Sequence, residues 1–179
     1  MVIFETERLV LRPWTQADAD VERLFDIYSR WEVARWLGSV PKPLESLDQA
    51  RTVVQRWAER CEPDGRLGVW ATEIKDAGVV AGTTLLVELP ATADGTHEGA
   101  VEVGWHFHPD SWGNGYATEA AHGALAHGFA RGLSEIYAVV RPDNDPSLAV
   151  CRRLGMTPLG RTDRWYGTEL EAFVRAAGE

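Results

Sequence analysis

The hydrophobic period changes several times along the chain, and each change predicts an element. Over 4–12, Leu9 and Leu11 alternate with Arg8, Val10 and Arg12, the period-two pattern of a half-buried strand, and Pro13 ends it. Thr15 then reads as the N-cap of a helix over 16–30, with Asp18 and Asp20 in its first turn and Val21, Leu24, Phe25 and Tyr28 as its apolar stripe. A short second helix is expected over 31–37. Pro41 and Pro43 interrupt the pattern, and Ser46 with Gln49 has the spacing of a capping box before a stripe over 47–60. Period two then returns. Residues 67–74 and 79–89 read as strands joined by Lys75-Asp76-Ala77-Gly78, and 100–107 as a third strand closed by Pro109. Residues 115–130 carry alanines at helical spacing, with Gly132 as a C′ residue. A short buried strand over 136–140, a helix over 146–154 with Pro146 near its first turn, and a hairpin of 157–166 and 169–174 turning at Gly167 complete the chain.

This order predicts one mixed α/β domain over 1–179, antiparallel in the middle, with a strand-helix-strand unit at 101–140. Composition agrees: 179 residues, 45% hydrophobic and 25% charged, can bury a core without disulfide staples. Twenty-seven acidic against 18 basic residues leave a net charge of −9 and no Lys/Arg cluster, which argues against nucleic acid and, weakly, for basic or amine-bearing partners. Cys61 and Cys151 lie too far apart for metal-ligand spacing and His is scattered, so no metal and a reduced chain are expected. No apolar run is long enough for a membrane span, and Met1–Phe4 followed by Glu5 lacks the features of a secretion signal, so a cytoplasmic location is expected.

The stretch richest in chemistry is Val101 to Ala120, where a strand runs into Trp112-Gly113-Asn114-Gly115-Tyr116-Ala117 and opens the alanine-rich helix. Glycines there allow a tight turn and close approach of a ligand. The first N–H groups of the helix, from Asn114 to Thr118, then face outward with the positive end of the dipole, a cradle for linked phosphates. Neither the Gly-Lys-Ser/Thr of an NTPase loop nor an N-terminal dinucleotide βαβ unit is present.

This run resembles the central motif of the GNAT superfamily of acetyl-CoA-dependent N-acetyltransferases, Gln/Arg-x-x-Gly-x-Gly/Ala, with Trp112 departing at the first position. Asn144-Asp145-Pro146-Ser147 followed by Leu154-Gly155-Met156 is similar to the family's Asn-x-x-Ser/Ala…Leu-Gly-Phe segment. The opening Thr6-Glu7-Arg8-Leu9-Val10-Leu11-Arg12-Pro13 resembles the branch holding the ribosomal-protein N-terminal acetyltransferases. The resemblance covers about residues 5–175. It implies a GNAT-like fold, with a mostly antiparallel sheet splayed at the cofactor site and helices on both faces. It also implies acetyl-CoA as co-substrate, a primary amine as acceptor (a peptide or protein N-terminus, or a small amine), and a possible homodimer.

The implied reaction is direct attack of a neutral amine on the thioester. An amine protonated at neutral pH needs a base. Glu102, opposite in facing to Val101 and Val103, is the first choice; Glu73, Glu88, His106 and His108 are rivals. The resemblance places oxyanion donors on the backbone near His106 and Phe107, and Asn144 against the pantetheine arm. Where many members carry a Tyr for the leaving thiolate, this chain has Cys151; it reads either as a thiol donor or as a buried filler, and Ser147 is the better donor. Trp31, Trp36, Trp165 and Tyr166 are candidates for the acceptor side, and the loop 90–98, with Thr92, Asp94, His97 and Glu98, for its edge. A non-catalytic acyl-CoA-binding module is the alternative, motivated by Trp112 and the absent Tyr; a purely structural domain is a third reading.

Overall fold

A computed structural model describes residues 1–92, 95, 96 and 99–178. Asp94, His97 and Glu98 lie outside the described residues; Thr92 closes a turn with Thr96. Among the described residues eight strands form one sheet: β1 (Phe4–Glu5), β2 (Leu9–Pro13), β3 (Gly68–Ile74), β4 (Val79–Glu88), β5 (Val101–Phe107), β6 (Glu135–Val140), β7 (Thr157–Thr162) and β8 (Leu170–Ala176), in the order β1-β2-β3-β4-β5-β6-β8-β7. Among the described residues five α-helices accompany it: α1 (Asp18–Tyr28), α2 (Trp31–Ala34), α3 (Leu47–Arg60), α4 (Tyr116–Ala130) and α5 (Asp145–Arg153).

Alternation along the strands sends side chains to two separate cores. On one face Val21, Leu24 and Ile27 of α1 and Ala50 and Val54 of α3 pack against Ala71 and Val80. On the other, Val103, Phe107, Ile136 and Ala138 pack against Ala120, Ala121 and Ala124 of α4 and Leu148 and Cys151 of α5. Helices therefore cover both faces. The alanines of α4 let it lie close to the strands, and Gly128 lies closer still, because a Cβ there would meet Ile136 and Leu133 at 2.8 and 3.0 Å.

Every neighbouring pair of strands is antiparallel except β5 and β6. These two are parallel and, among the described residues, share one register pair, Glu102 opposite Tyr137. Beyond it they part. The ladder shows what that leaves exposed. His108 N–H donates to Ala81 C=O at 2.9 Å, so the even residues of β5 exchange bonds with β4. The N–H and C=O of Trp105 and Phe107 therefore point into the split.

Three sequence expectations need correction. The first strand is two strands, because residues 6–8 turn: Thr6 N–H donates to Leu9 C=O at 2.9 Å, and Ile3 N–H to Leu11 C=O at 2.8 Å. Thr15 does not cap α1. Ala17 holds the N-cap position without a side-chain cap, while Thr15 gives its N–H and hydroxyl to the buried Asp20 carboxylate at 2.9 and 2.8 Å. Asp20 also takes both ends of the Arg12 guanidinium at 2.8 and 2.9 Å, which ties α1 to β2. The last hairpin turns over 163–169 and not at Gly167 alone, because Trp165 is packed away against Leu89 and Ala172. Ser46 caps α3 as expected, accepting from Gln49 N–H at 3.3 Å.

Candidate active site

The turn after β5 builds a cradle. His108 caps a 3-10 turn over Pro109–Ser111, accepting from Asp110 N–H at 3.1 Å. Gly113 and Gly115 then take left-handed conformations, φ 76° and 79°, which glycine enters without a Cβ penalty. The Asn114 side chain closes the turn by donating to the carbonyls of Ser111 and Trp112 at 3.3 and 3.1 Å. The first intrahelical bond of α4 runs from Glu119 N–H to Gly115 C=O at 3.0 Å. Among the described residues, no partner is found for the backbone N–H groups of 113–118. Five of these residues, Gly113 and 115–118, line a cavity at the N-terminus of α4 that is also lined by His122, Pro146, Ala149 and Arg153. That arrangement suits a pyrophosphate.

The N-terminal turn braces this cradle from outside. Glu119 accepts from Thr6 Oγ1 (2.6 Å), Arg8 N–H (2.8 Å) and Arg8 Nε (2.6 Å). The same guanidinium donates to Asn114 C=O at 3.0 Å and lies 4.7 Å from the centroid of the Tyr116 ring. Burial opposes the charge on Glu119, but these donors hold its carboxyl below the usual range. The sequence placed Arg8 in a motif without revealing this clamp, which joins residues 111 positions apart.

Trp112, where the resembled motif has Gln or Arg, donates its indole N–H to Phe107 C=O at 2.8 Å. It thereby occupies a carbonyl at the open end of β5, and its ring lines two adjoining cavities. The second cavity, about 800 Å³, runs through the split to the α2–α3 side of the sheet. Phe107, Ala117, Pro146 and Val150 line both, so the two adjoin.

Glu102 lies in this second cavity, on the face opposite Val101 and Val103, at the point where β5 and β6 part. It is 7% exposed. Burial pushes its carboxyl up to about 7, and a hydrogen bond from the Tyr166 hydroxyl restrains the rise. Tyr166 reaches it from the β7–β8 loop with φ 61°, a left-handed conformation unusual for a bulky residue. Burial and the nearby Glu102 raise the Tyr166 phenol in turn.

His106 also lines the cavity, and desolvation drops its ring to about 4, so it is neutral at pH 7. Its Nδ1 lies 3.1 Å from the Tyr28 hydroxyl, which donates to Thr83 Oγ1 at 2.7 Å. The other rivals for the base lie elsewhere. Glu73 is ion-paired with Arg12 at 2.8 Å, Glu88 is exposed at the end of β4, and His108 is buried beside Asp26 and Asp110.

At the far wall, Asn144 caps α5 by accepting from Ser147 N–H at 3.3 Å, and both residues line the cavity. Cys151 does not. It is 0% exposed inside the core, and burial pushes its thiol up to about 12. The apolar-filler reading fits that place, and a donor to a leaving thiolate does not. Trp36 and Tyr166 line the cavity; Trp31 is exposed outside it, and Trp165 is core, 5.7 Å from Tyr137 ring to ring. Of the two backbone groups expected to face a ligand, the ladder turns His106 N–H toward β4 and Phe107 N–H into the split. Sequence reading missed Arg35, Arg56, Arg60 and Arg141, all on the cavity wall, since nothing in their spacing brings them together.

Among the described residues, no group of three or more His, Cys, Asp or Glu could hold a metal ion, and no helix is long and apolar enough to cross a membrane.

Comparison with known proteins adds family and fold relatives. The GNAT acetyltransferase domain model matches residues 8–157. YoaA, an uncharacterized N-acetyltransferase of Bacillus subtilis (strain 168), is 35% identical over 160 residues, 88% of this chain and 84% of its own. Among solved structures, a GNAT-family acetyltransferase from Bacillus anthracis superposes with a TM-score of 0.78 at 22% identity, covering 100% of both chains. RimL, a ribosomal L7/L12 alpha-N-protein acetyltransferase solved in complex with coenzyme A, gives 0.78 at 18% identity over 98% of each chain.

Proposed function

We propose, from the premise that the chain belongs to the GNAT acetyltransferase family and is an acyltransferase, that residues 1–179 form one domain moving an acetyl group from acetyl-CoA to a primary amine. The observation that carries the mechanism is Glu102, a buried carboxyl group where β5 and β6 part, which burial pushes up to about 7. The free N–H groups of 113–118 and Arg153 hold the pyrophosphate, and the pantetheine arm enters the split beside Asn144 and Phe107.

In the reaction the amine nitrogen attacks the thioester carbon, and its proton passes to the Glu102 carboxylate. Phe107 N–H, aimed into the split, stabilises the tetrahedral oxyanion. The C–S bond then breaks, and Ser147 Oγ–H donates a hydrogen bond to the departing thiolate. A base titrating near 7 is half available at neutral pH, close to the best compromise between basicity and protonation state.

The test measures acetyl-CoA turnover over a panel of amines, with cofactor binding followed by calorimetry. Glu102→Gln should cut kcat about a hundredfold or more while leaving acetyl-CoA affinity nearly unchanged. Equal loss of both would remove Glu102 from the role of base. A second reading, an acyl-CoA-binding module without turnover, draws on Trp112 sealing Phe107 C=O and on the buried Cys151. It predicts cofactor binding with no product from any amine.

A further inference from the structure

Resting on the acetyltransferase reading, we propose that the acceptor carries a carboxylate beside its amine, and that Arg35, Arg56 and Arg60 bind it. The chain is acidic overall, with a net charge of −9, and among the described residues eight of its 16 arginines are paired with carboxylates. Arg8, Arg12, Arg23, Arg30, Arg51 and Arg161 all hold Asp or Glu within 3.2 Å. Among the described residues, Arg35, Arg56 and Arg60 have no carboxylate partner, and all three line the cavity that holds Glu102.

Their placement makes a surface. Arg56 and Arg60 are one helical turn apart on α3 and share a face. Arg35 follows α2, with its guanidinium 4.1 Å from the centroid of the Trp36 ring, which orients it. Acids also line the cavity. Asp143 and Asp145 belong to the start of α5, where a helix N-terminus favours them, and Arg141 of the same segment, which also lines the cavity, offsets one of them. Glu32 alone accompanies the three arginines on the α2–α3 wall. That wall is therefore net positive and lines the same cavity as Glu102 and Tyr166. Arg60 is near enough to Tyr166 for its charge to favour the ionised phenol.

These arginines are not cofactor ligands by position. The cradle for the cofactor phosphates opens on the other cavity, which none of the three lines. An acceptor with an amine and a carboxylate matches both ends: the amine approaches Glu102, and the carboxylate meets planar guanidinium forks. This selects within the primary amines, against polyamines and lysine-rich termini.

The experiment compares three peptide acceptors identical except for acidic, amide or lysine side chains at positions two and three, plus free aspartate. The acidic peptide or aspartate should show a kcat/KM about tenfold above the amide peptide, with the lysine peptide lowest. The advantage should shrink as salt rises from about 0.05 to 0.5 M. The double variant R56E/R60E should reverse the ranking while leaving the calorimetric acetyl-CoA affinity within about twofold. Aspartate or the acidic peptide leading the panel separates a small acceptor from a polypeptide terminus, and either supports the proposal. A lysine peptide turned over as fast as the acidic one, or an unchanged ranking in R56E/R60E, overturns it and leaves acetyl transfer standing. Cofactor binding with no acetylated product from any acceptor overturns both the acidic acceptor and acetyl transfer itself.

Discussion

Glu102 owes its chemistry to one hydrogen bond and a dry wall. Burial alone would push its carboxyl higher; the Tyr166 hydroxyl favours the carboxylate and restrains the rise to about 7. Tyr166→Phe removes that donor, so the Glu102 pKa must rise further. A base works when deprotonated, so the rising limb of kcat/KM against pH should move to higher pH. Activity at pH 7 should fall by up to about tenfold and return near pH 9, since a hydrogen bond to a charged group contributes about 1.5 kcal/mol or more. A limb that stays in place, or moves to lower pH, would show that Tyr166 does not tune this group. The sequence pointed to Glu102 through strand alternation and pointed to Tyr166 as an acceptor contact. It could not reveal that the two touch, because they lie 64 positions apart and Tyr166 needs a left-handed backbone to turn inward. Cys151 shows the converse limit. Its spacing from Asn144 matched a motif position, yet its side chain is sealed in the core under α5.

Elements with a strong period were legible: α3, α4, α5 and strands β3 to β6 lie close to their sequence expectations. What periodicity cannot encode is how far two strands stand apart. Gly82 of β4 fixes one such distance. A Cβ on it would collide with the backbone of His106 and Phe107, and backbone atoms cannot swing aside as a flexible side chain can. Gly82→Ala should therefore push β5 away from β4 at the open end of β5, costing about 1–3 kcal/mol by overpacking. Denaturant unfolding should show that loss, and turnover should fall with it because Phe107 N–H and Trp105 move with β5. Normal stability and normal turnover in this variant would mean the strand contact is looser than drawn. The same glycine reads in the sequence as an ordinary interruption of a strand. Its partner sits 25 positions later, Phe107, and only the register between the strands brings them together.

The sheet of the whole molecule has two blocks, β1 to β5 and β6-β8-β7, joined along their shared edge by the single pair Glu102 and Tyr137 among the described residues. Below that pair the gap leaves strand N–H and C=O groups without strand partners, a cost that a bound chain with amides can offset. A cofactor gripping α4 on one side and α5 on the other spans both blocks, so it should bind the folded state alone. At about 100 times its Kd, such a ligand stabilises by about 2.7 kcal/mol. For a chain of this size that raises Tm by roughly 5–10 °C. The dependence on the cradle can be isolated with Ala117→Pro, which deletes one of the free N–H groups of α4. Proline is tolerated there for a reason visible in the same chain: Pro146 occupies the equivalent position of α5, two residues after its cap. The variant should melt near the wild type when free and lose most of the shift with acetyl-CoA, with affinity down about tenfold or more. A shift that survives intact would place the phosphates somewhere other than the start of α4, and the assignment of both cavities would have to be redrawn from that site outward.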